Sequence, residues 1–163
     1  MNSRHFAEPA PGRKKAVEMT KNTLTIHEGG WEALRESAGD IRRIVFIEEQ
    51  RVPLTEEWDG RDDDCRHFLA LLNGAPVGTA RLLPDAHIGR VAVLAEARDS
   101  GIGAALMLAA IETARRESYP AVELAAQTHA LPFYERLGFT AFGDEFLDAG
   151  IPHRNMRLEL NEA

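Results

Sequence analysis

The fold is decided by the stretch Arg90-Val91-Ala92-Val93-Leu94, followed closely by Arg98-Asp99-Ser100-Gly101-Ile102-Gly103 and then by Ala104–Arg115. The first segment is short, apolar and rich in valine, which is typical of a buried strand. The last segment consists almost entirely of strong helix formers. The two glycines between them indicate a loop, so the sequence predicts a strand, a loop and a helix in direct succession.

This loop has the properties of a phosphate-binding site. Glycine adopts positive φ and lets a ligand approach the backbone closely, and both Gly101 and Gly103 lie just before the helix. A helix begins with unpaired N–H groups and the positive end of its dipole, which favour an anion. Arg98 could add a charge-assisted hydrogen bond to the same anion. The alternative is that the glycines only shape a tight connection between strand and helix.

Composition limits the classes of function. A chain of 163 residues with 44% hydrophobic and 28% charged residues is typical of one soluble globular domain. The net charge of −7 argues against binding to a nucleic-acid backbone, and it suits a cationic small molecule or a basic peptide.

The chain shows no sign of secretion or membrane insertion. Cys65 is the only cysteine, so an internal disulfide is excluded, which fits a reducing compartment. There is no charged-then-apolar leader and no apolar run long enough to span a bilayer. The sequence therefore predicts a cytoplasmic protein without a membrane partner. The six histidines are scattered singly, and no metal site is expected.

The chain divides into an arm and a domain. Residues 1–22 are polar and basic without any apolar period, which predicts a disordered N-terminal arm outside the fold. Part of this arm could come from an expression vector. Residues 23–163 are predicted to form the single folded domain.

Turn and periodicity signals predict the order of elements in this domain. Asn73-Gly74 between two apolar runs is typical of a β-hairpin. Apolar residues spaced for a helix cover Trp31–Arg51, with a break expected at Gly39 and Asp40 as the cap of a second helix. Six acids and Trp58 occupy Leu54–Arg66, which predicts a solvated loop. The remaining predictions are strands at Thr23–Glu28, His67–Leu72, Pro76–Leu83, Ile88–Leu94, Ala121–Ala125, Phe139–Phe142 and Asn155–Leu160, helices at Ala104–Ser118 and Thr128–Leu137, and a loop at Gly150–His153.

Two motifs together resemble the GNAT N-acetyltransferases. Arg98-Asp99-Ser100-Gly101-Ile102-Gly103 is similar to that family's acetyl-CoA motif, Q/R-x-x-G-x-G/A. The run from Gln127 to Phe139, with Tyr134 near its middle, is similar to the family's second diagnostic segment. Finer features resemble the ElaA-like branch, namely Val45–Gln50, Trp58-Asp59-Gly60, His67 and Gly150–His153.

The resemblance implies a mixed α/β (α+β) fold. Its central sheet would have about seven mostly antiparallel strands, flanked by helices, with one parallel pair that splays apart. Acetyl-CoA would insert its pantetheine arm into this gap as an added strand. The residues implied in cofactor binding are Val91, Ala92, Val93, Arg98, Asp99, Ser100, Gly101, Ile102, Gly103, Ala104, Gln127 and Tyr134.

The resemblance also implies a reaction. The acetyl group of acetyl-CoA would pass directly to a primary amine of a small molecule or peptide, without an acyl-enzyme. Tyr134 matches the family's usual general acid, since a phenol can protonate the leaving thiolate. Some relatives carry a glutamate base on the strand where this chain has Gly89-Arg90, so the candidates here are Glu49, His67 and Glu123, or a water molecule.

Three separate segments are expected to form the acceptor site. Glu49, Trp58 and His153 lie in these segments, and an acidic wall with one indole would bind a cationic amine. The resemblance leaves room for a homodimer and gives no reason to expect a nucleic-acid partner. One alternative remains, a catalytically weak acyl-CoA-binding sensor of the same fold. A dinucleotide-binding motif at Gly101–Leu106 is not favoured, because it lacks its third glycine and the sequence needed for a doubly wound sheet.

Overall fold

A computed structural model describes residues 23–160, and the predicted N-terminal arm lies outside this range. The described strands and helices follow the predicted order, except that a short helix at Leu54–Glu57 lies where a solvated loop was predicted. They are β1 (Leu24–Gly29), α1 (Trp31–Arg42), α2 (Leu54–Glu57), β2 (Arg66–Leu72), β3 (Ala75–Leu82), β4 (Ile88–Val93), α3 (Ile102–Arg116), β5 (Ala121–Gln127), α4 (Leu131–Arg136), β6 (Thr140–Asp148) and β7 (Ile151–Glu159).

The first sheet contains β1, β2, β3 and β4 in that order, and every neighbouring pair is antiparallel. The predicted hairpin joins β2 to β3. Asn73 and Gly74 have φ angles of 53° and 88°, which is the left-handed geometry that a two-residue turn needs between twisted strands. The hairpin prediction is therefore confirmed.

The second sheet contains β5, β7 and β6, with β7 in the middle. The predicted loop at Gly150–His153 is wrong beyond Gly150. Ile151 already pairs with Asp148, and His153 pairs with Gln127 of β5. Pro152 lacks an N–H and signals a loop locally, but pairing along the hairpin outweighs that signal.

The two sheets meet where β4 and β5 begin, and they diverge from there. The only bridge between these parallel strands among residues 23–160 joins His87 to Glu123. Beyond it, the β3–β4 register shifts between Thr79 and Arg81, and Arg90 adopts a φ of 50°. Such a bulge bends its strand. The predicted splayed pair in a mixed, mostly antiparallel fold is confirmed.

Helix α3 fills the space beneath the first sheet. Leu106, Met107, Ala110 and Ala114 form a fully buried face with helical spacing. A Cβ at Gly78 of β3 would lie 3.0 Å from a methyl carbon of Leu106, so the absence of a side chain there lets helix and sheet approach closely.

Helix α1 is continuous through Gly39, so the predicted break with Asp40 as cap is wrong. A glycine costs a helix only about 1 kcal/mol relative to alanine, and the neighbouring Ala38 and Ile41 are buried in the core. The helical path changes later instead, where Arg43–Glu49 forms a π-helix.

The acidic segment between α1 and β2 is only partly a solvated loop. Glu57 and Asp62 are buried, together with Arg42 of α1 and Arg81 of β3. Arg42 Nε donates to Glu57 at 2.7 Å, and Asp62 accepts hydrogen bonds from both Arg42 and Arg81 at 2.8 Å. Burial raises the pKa of Asp62, but hydrogen bonds and charge from Arg42 and Arg81 outweigh it and hold that pKa below its usual value.

We expect Asp62→Asn to lower the free energy of unfolding at pH 7 by about 3 kcal/mol or more. The variant leaves two buried guanidinium groups short of a carboxylate, and breaking a buried ion pair typically costs about 3–5 kcal/mol. Asp62 has a lower pKa in the folded chain than in the unfolded chain. Its contribution is therefore present above the unfolded pKa and is lost as the pH falls through the folded pKa.

The measurement is urea unfolding at several pH values, with Asp63→Asn as the matched control. Asp63 is exposed, so its loss should change stability by no more than about 0.5 kcal/mol. The variant Asp62→Asn should also show a weaker loss of stability on acidification. Equal losses in the two variants would contradict the structural role of Asp62.

Candidate active site between the diverging strands

The divergence of β4 and β5 opens a cavity of about 540 Å³. One wall is Ile88–Val91 of β4, and another is formed by Leu124, Ala125 and Gln127 of β5. The end of the π-helix and the β6–β7 turn also line the cavity, together with residues of α2, β3 and α4, so parts of the chain that are distant in sequence surround one space. The further lining residues that matter below are Gln50, Glu57, Arg81, His129, Tyr134 and His153.

Tyr134 lines this cavity from α4. Its ring packs edge-on against Phe133 and Phe139, with centroids 4.9 and 6.1 Å away. Burial raises the pKa of Tyr134 to about 12. At this pKa the phenol keeps its proton at neutral pH. Its hydroxyl makes no hydrogen bond with any residue in the described part of the chain, so the proton is free to be donated to a ligand.

The glycine loop presents backbone donors at the start of α3. Gly101 has a φ of 82° and precedes the helix without any side-chain cap. The first N–H groups of such a helix have no intrahelical partner. The Ser100 hydroxyl donates to the Ala97 carbonyl at 2.6 Å, so it stabilises the loop itself.

Several residues of the predicted cofactor site face inward. Ile102 and Ala92 are buried in two different parts of the core, so only their backbone atoms are available to a ligand. A Cβ at Gly103 would lie 3.4 Å from the Phe133 ring, which is close to an ordinary van der Waals contact, so α4 lies directly beside this glycine.

Glu49 and Arg98 were expected to contact two different ligands, but the structure pairs them with each other. Both terminal nitrogens of Arg98 donate to the Glu49 carboxylate, at 2.7 and 2.8 Å. Arg98 Nε also donates to the Val93 carbonyl at 2.8 Å. The Arg98 hydrogen bonds lower the pKa of Glu49, which makes this carboxylate a poor proton acceptor. Glu49 lies outside the cavity lining.

Gln127 belongs to a short chain of polar side chains. Its amide nitrogen donates to Gln50 Oε1 at 3.1 Å, and its amide oxygen lies 2.7 Å from His129 Nε2. Gln50 ends the π-helix, while Gln127 ends β5. The predicted cofactor residue Gln127 therefore ties two walls of the cavity together.

His153 sits in the middle of the second sheet. It pairs with Gln127 of β5 on one side and with Phe146 of β6 on the other, and its ring stacks on Phe146 at 5.8 Å. His153 Nδ1 lies 2.6 Å from the Ile151 carbonyl, which can only accept a hydrogen bond. This contact assigns the proton of a neutral ring to Nδ1 and the lone pair to Nε2.

Three other predicted residues lie away from the cavity. His67 is buried, with Nε2 2.9 Å from the Asp62 carbonyl and its ring 4.7 Å from that of Trp31, and burial lowers its pKa. Trp58 packs over the Arg42 guanidinium at 5.0 Å. Glu123 accepts a hydrogen bond from Arg157 at 2.7 Å. None of the three residues lines the cavity, so the structure shows no contact that supports His67 or Glu123 as the proton acceptor or Trp58 as part of the acceptor site.

Sequence reasoning missed the arginines of this site. Arg90 and Arg81 line the cavity, and Arg81 is buried. The only available signal was Arg90 itself, which occupies the strand where some relatives carry a carboxylate. Nothing local distinguishes Arg42 or Arg81 from surface arginines, because their partners are distant in sequence.

The fold and the site together define a class of acyl-transferring enzyme, and comparison with known proteins gives the family. Residues 45–160 match the family model described as "Acetyltransferase (GNAT) domain". The chain belongs to the GNAT acetyltransferase family, and the resemblance stated from its two motifs is confirmed.

Individual relatives support the finer resemblance. Protein ElaA of Escherichia coli is 35% identical over 133 residues, which cover 76% of this chain and 86% of that protein. The crystal structure of ElaA superposes with a TM-score of 0.75 at 29% identity, covering 84% of this chain and all of ElaA.

Two further proteins are similar over most of their length. The uncharacterized N-acetyltransferase YjcF of Bacillus subtilis is 37% identical over 120 residues, covering 71% of this chain and 86% of YjcF. An acyl-CoA N-acyltransferase of Pseudomonas aeruginosa superposes with a TM-score of 0.73 at 33% identity, covering 83% of this chain and 99% of that structure.

Membrane-spanning helices and metal-ligand clusters are both absent from residues 23–160. No helix in this range has the length and apolarity required to cross a bilayer. Within the same range, no three His, Cys, Asp or Glu side chains cluster in a way that could hold a metal ion.

Proposed function

We propose that this acetyltransferase moves the acetyl group of acetyl-CoA directly to a primary amine of a small molecule or peptide. The observation that carries the proposal is the cavity between β4 and β5, with Tyr134 in its wall. A thioester bound between the two strand edges would lie beside this phenol. The phenol could then protonate the thiolate that leaves when the thioester is cleaved.

The donor substrate would bind mainly through backbone groups. The pantetheine arm would lie along β4 beside Val91 and Val93 as an added strand, because within residues 23–160 this strand edge has no partner strand beyond the His87–Glu123 bridge. The pyrophosphate would lie on the N–H groups between Gly101 and Ala104, where the helix dipole favours an anion. Arg98 would contribute to phosphate binding only after releasing Glu49.

The chemical step needs one proton donor and one proton acceptor. The amine nitrogen attacks the thioester carbon and forms the new C–N bond. The C–S bond breaks, and the thiolate takes the proton of Tyr134. We assign the amine's proton to Nε2 of His153, directly or through a water molecule, because this nitrogen has no hydrogen bond with residues 23–160.

The remaining expectations do not depend on this chemistry. A cytoplasmic location fits the single cysteine, Cys65, which is buried and unpaired. A homodimer stays a prediction.

We expect Gly101→Ala to weaken acetyl-CoA binding about tenfold. An alanine at a φ of 82° is strained by about 1–2 kcal/mol, and relaxation of that strain would turn the loop's N–H groups away from the pyrophosphate. Gly74→Ala is the matched control, since Gly74 has a φ of 88° and equally open space but lies in the β2–β3 turn. Titration calorimetry with acetyl-CoA measures both. Equal affinities in the two folded variants would contradict the assigned phosphate site.

We expect Tyr134→Phe to lower kcat by about 10²-fold or more while the affinity for acetyl-CoA stays constant. The variant keeps the packed ring and removes only the proton that the thiolate needs. The measurement is thiol release from acetyl-CoA in the presence of amines. The only other tyrosine, Tyr119, packs against the core, so Tyr119→Phe should keep its activity. An unchanged kcat in Tyr134→Phe would show that the thiolate leaves without this acid.

Binding of acetyl-CoA without turnover in the unmodified protein would favour the acyl-CoA-binding sensor instead.

We expect His153→Gln to lower kcat about 10²-fold with little change in acetyl-CoA affinity. The glutamine amide can still donate a hydrogen bond to the Ile151 carbonyl, but it cannot take up a proton. His87→Gln is the control, because His87 also lines the cavity and is exposed. If both variants retain full activity with every amine acceptor, His153 is not the proton acceptor.

A further inference from the structure

The charges around the inner end of the cavity are unequally paired. Three arginines, Arg42, Arg81 and Arg90, face three carboxylates, Glu57, Asp59 and Asp62. Arg42 and Arg81 each bind two carboxylates with closest contacts of 2.6–2.8 Å. Arg90 reaches the same carboxylates only at 3.3 and 3.4 Å. Of the three guanidinium groups, that of Arg90 is therefore the least compensated.

Arg90 is held firmly on one side. It lies at the bulge of β4, one residue before Val91, with a φ of 50° that is unusual for arginine. Its Nη2 donates to the backbone carbonyls of Glu56 and Glu57, at 3.0 and 2.9 Å. These contacts fix the direction of the guanidinium without neutralising it.

The other side of Arg90 is open to the cavity. Its Nη1 makes no hydrogen bond with any residue between 23 and 160, and the side chain is 26% exposed in the cavity wall. Burial and the nearby Arg81 also lower the pKa of Arg90, so an anion beside it would be stabilised. A fixed guanidinium with two free N–H groups is a ready receptor for a carboxylate.

Two acids of the expected acceptor segments are paired with arginines. Glu49 binds Arg98, and Asp59 binds Arg81. Glu56 and Asp148 also line the cavity, but neither belongs to the acidic wall that was expected to bind a cationic amine.

From these contacts we propose that the acceptor is a small primary amine that also carries a carboxylate, and that Arg90 binds this carboxylate. This inference rests on the proposed acetyl transfer and names its acceptor class. Arg90 directly precedes Val91, whose backbone is proposed to bind the pantetheine arm. A carboxylate bound to Arg90 would therefore keep the amine of the same small molecule near the thioester. An amino acid fits this arrangement, whereas the corresponding decarboxylated amine would leave Arg90 without a partner.

The test compares amino acids with the amines that result from their decarboxylation, at fixed saturating acetyl-CoA. We expect the unmodified protein to favour the carboxylate-bearing acceptor in kcat/KM by at least tenfold. Arg90→Gln should remove that preference through a higher KM for the amino acid, and Arg90→Lys should restore part of it. Turnover of the decarboxylated amine and the affinity for acetyl-CoA should stay constant in Arg90→Gln.

Arg61→Gln is the matched control. Arg61 lines the same cavity and is exposed, so the variant removes an equal charge without touching the proposed receptor. A similar loss of preference in Arg61→Gln would show a general field effect and overturn the assignment to Arg90.

Two outcomes separate this inference from the proposed function. Acetylation of amines with no preference for a carboxylate overturns the role of Arg90 and leaves acetyl transfer intact. Failure to acetylate any amine overturns both. If Arg90→Gln does not fold, inhibition of the unmodified protein decides. A carboxylic acid of the same chain without the amine should compete with the amino acid, and the absence of competition would contradict the proposal.

Discussion

The parting of β4 from β5 is the constraint on which the rest of this structure depends. The two strands touch at the bridge between His87 and Glu123, and the bulge at Arg90 bends β4 away from there. From that point each strand has an edge whose N–H and C=O groups have no partner strand among residues 23–160. A buried backbone group without a partner is costly, and here the gap leaves these groups open to the cavity. The candidate site is therefore set first by the path of the backbone and only then by the side chains that line it.

The buried ion network keeps that opening in shape. Arg42 comes from α1, Glu57 from α2, Asp62 from the turn before β2, and Arg81 from β3. These elements also pack through apolar side chains such as Ile41, Val45 and Leu69, and the ion network adds directional contacts to that packing. The network converts an acidic, otherwise solvated segment into a rigid wall, and it places the carbonyls of Glu56 and Glu57 where they orient Arg90. The charges that stabilise the fold therefore also orient the arginine that we propose binds the acceptor.

The sequence predicted the features that depend on neighbours along the chain. The Asn73-Gly74 turn, the strand–loop–helix around Gly101 and the alternation of the first strands all follow from local geometry, and the two motifs led to the GNAT family. The failures depend on partners far away in sequence. Arg98 and Glu49 are 49 residues apart, and Arg42 and Asp62 are 20 apart, so no local pattern shows that they pair. Gly39 signals a break that core packing on both sides overrides.

The same difference explains why overall charge is a poor guide to the charges available at the cavity. A net charge of −7 and six acids between Leu54 and Arg66 count every carboxylate equally, and they suggested a site for cations. In the folded chain, Glu57 and Asp62 are neutralised by ion pairs with Arg42. The guanidinium of Arg90, by contrast, has two N–H groups at the cavity that bind no residue between 23 and 160. Recognition depends on the charges left after internal pairing. Surface acids contribute to the long-range field, whereas the partly buried guanidinium of Arg90 is screened far less than an exposed charge. For this reason we propose that Arg90, and not the net charge, selects the acceptor.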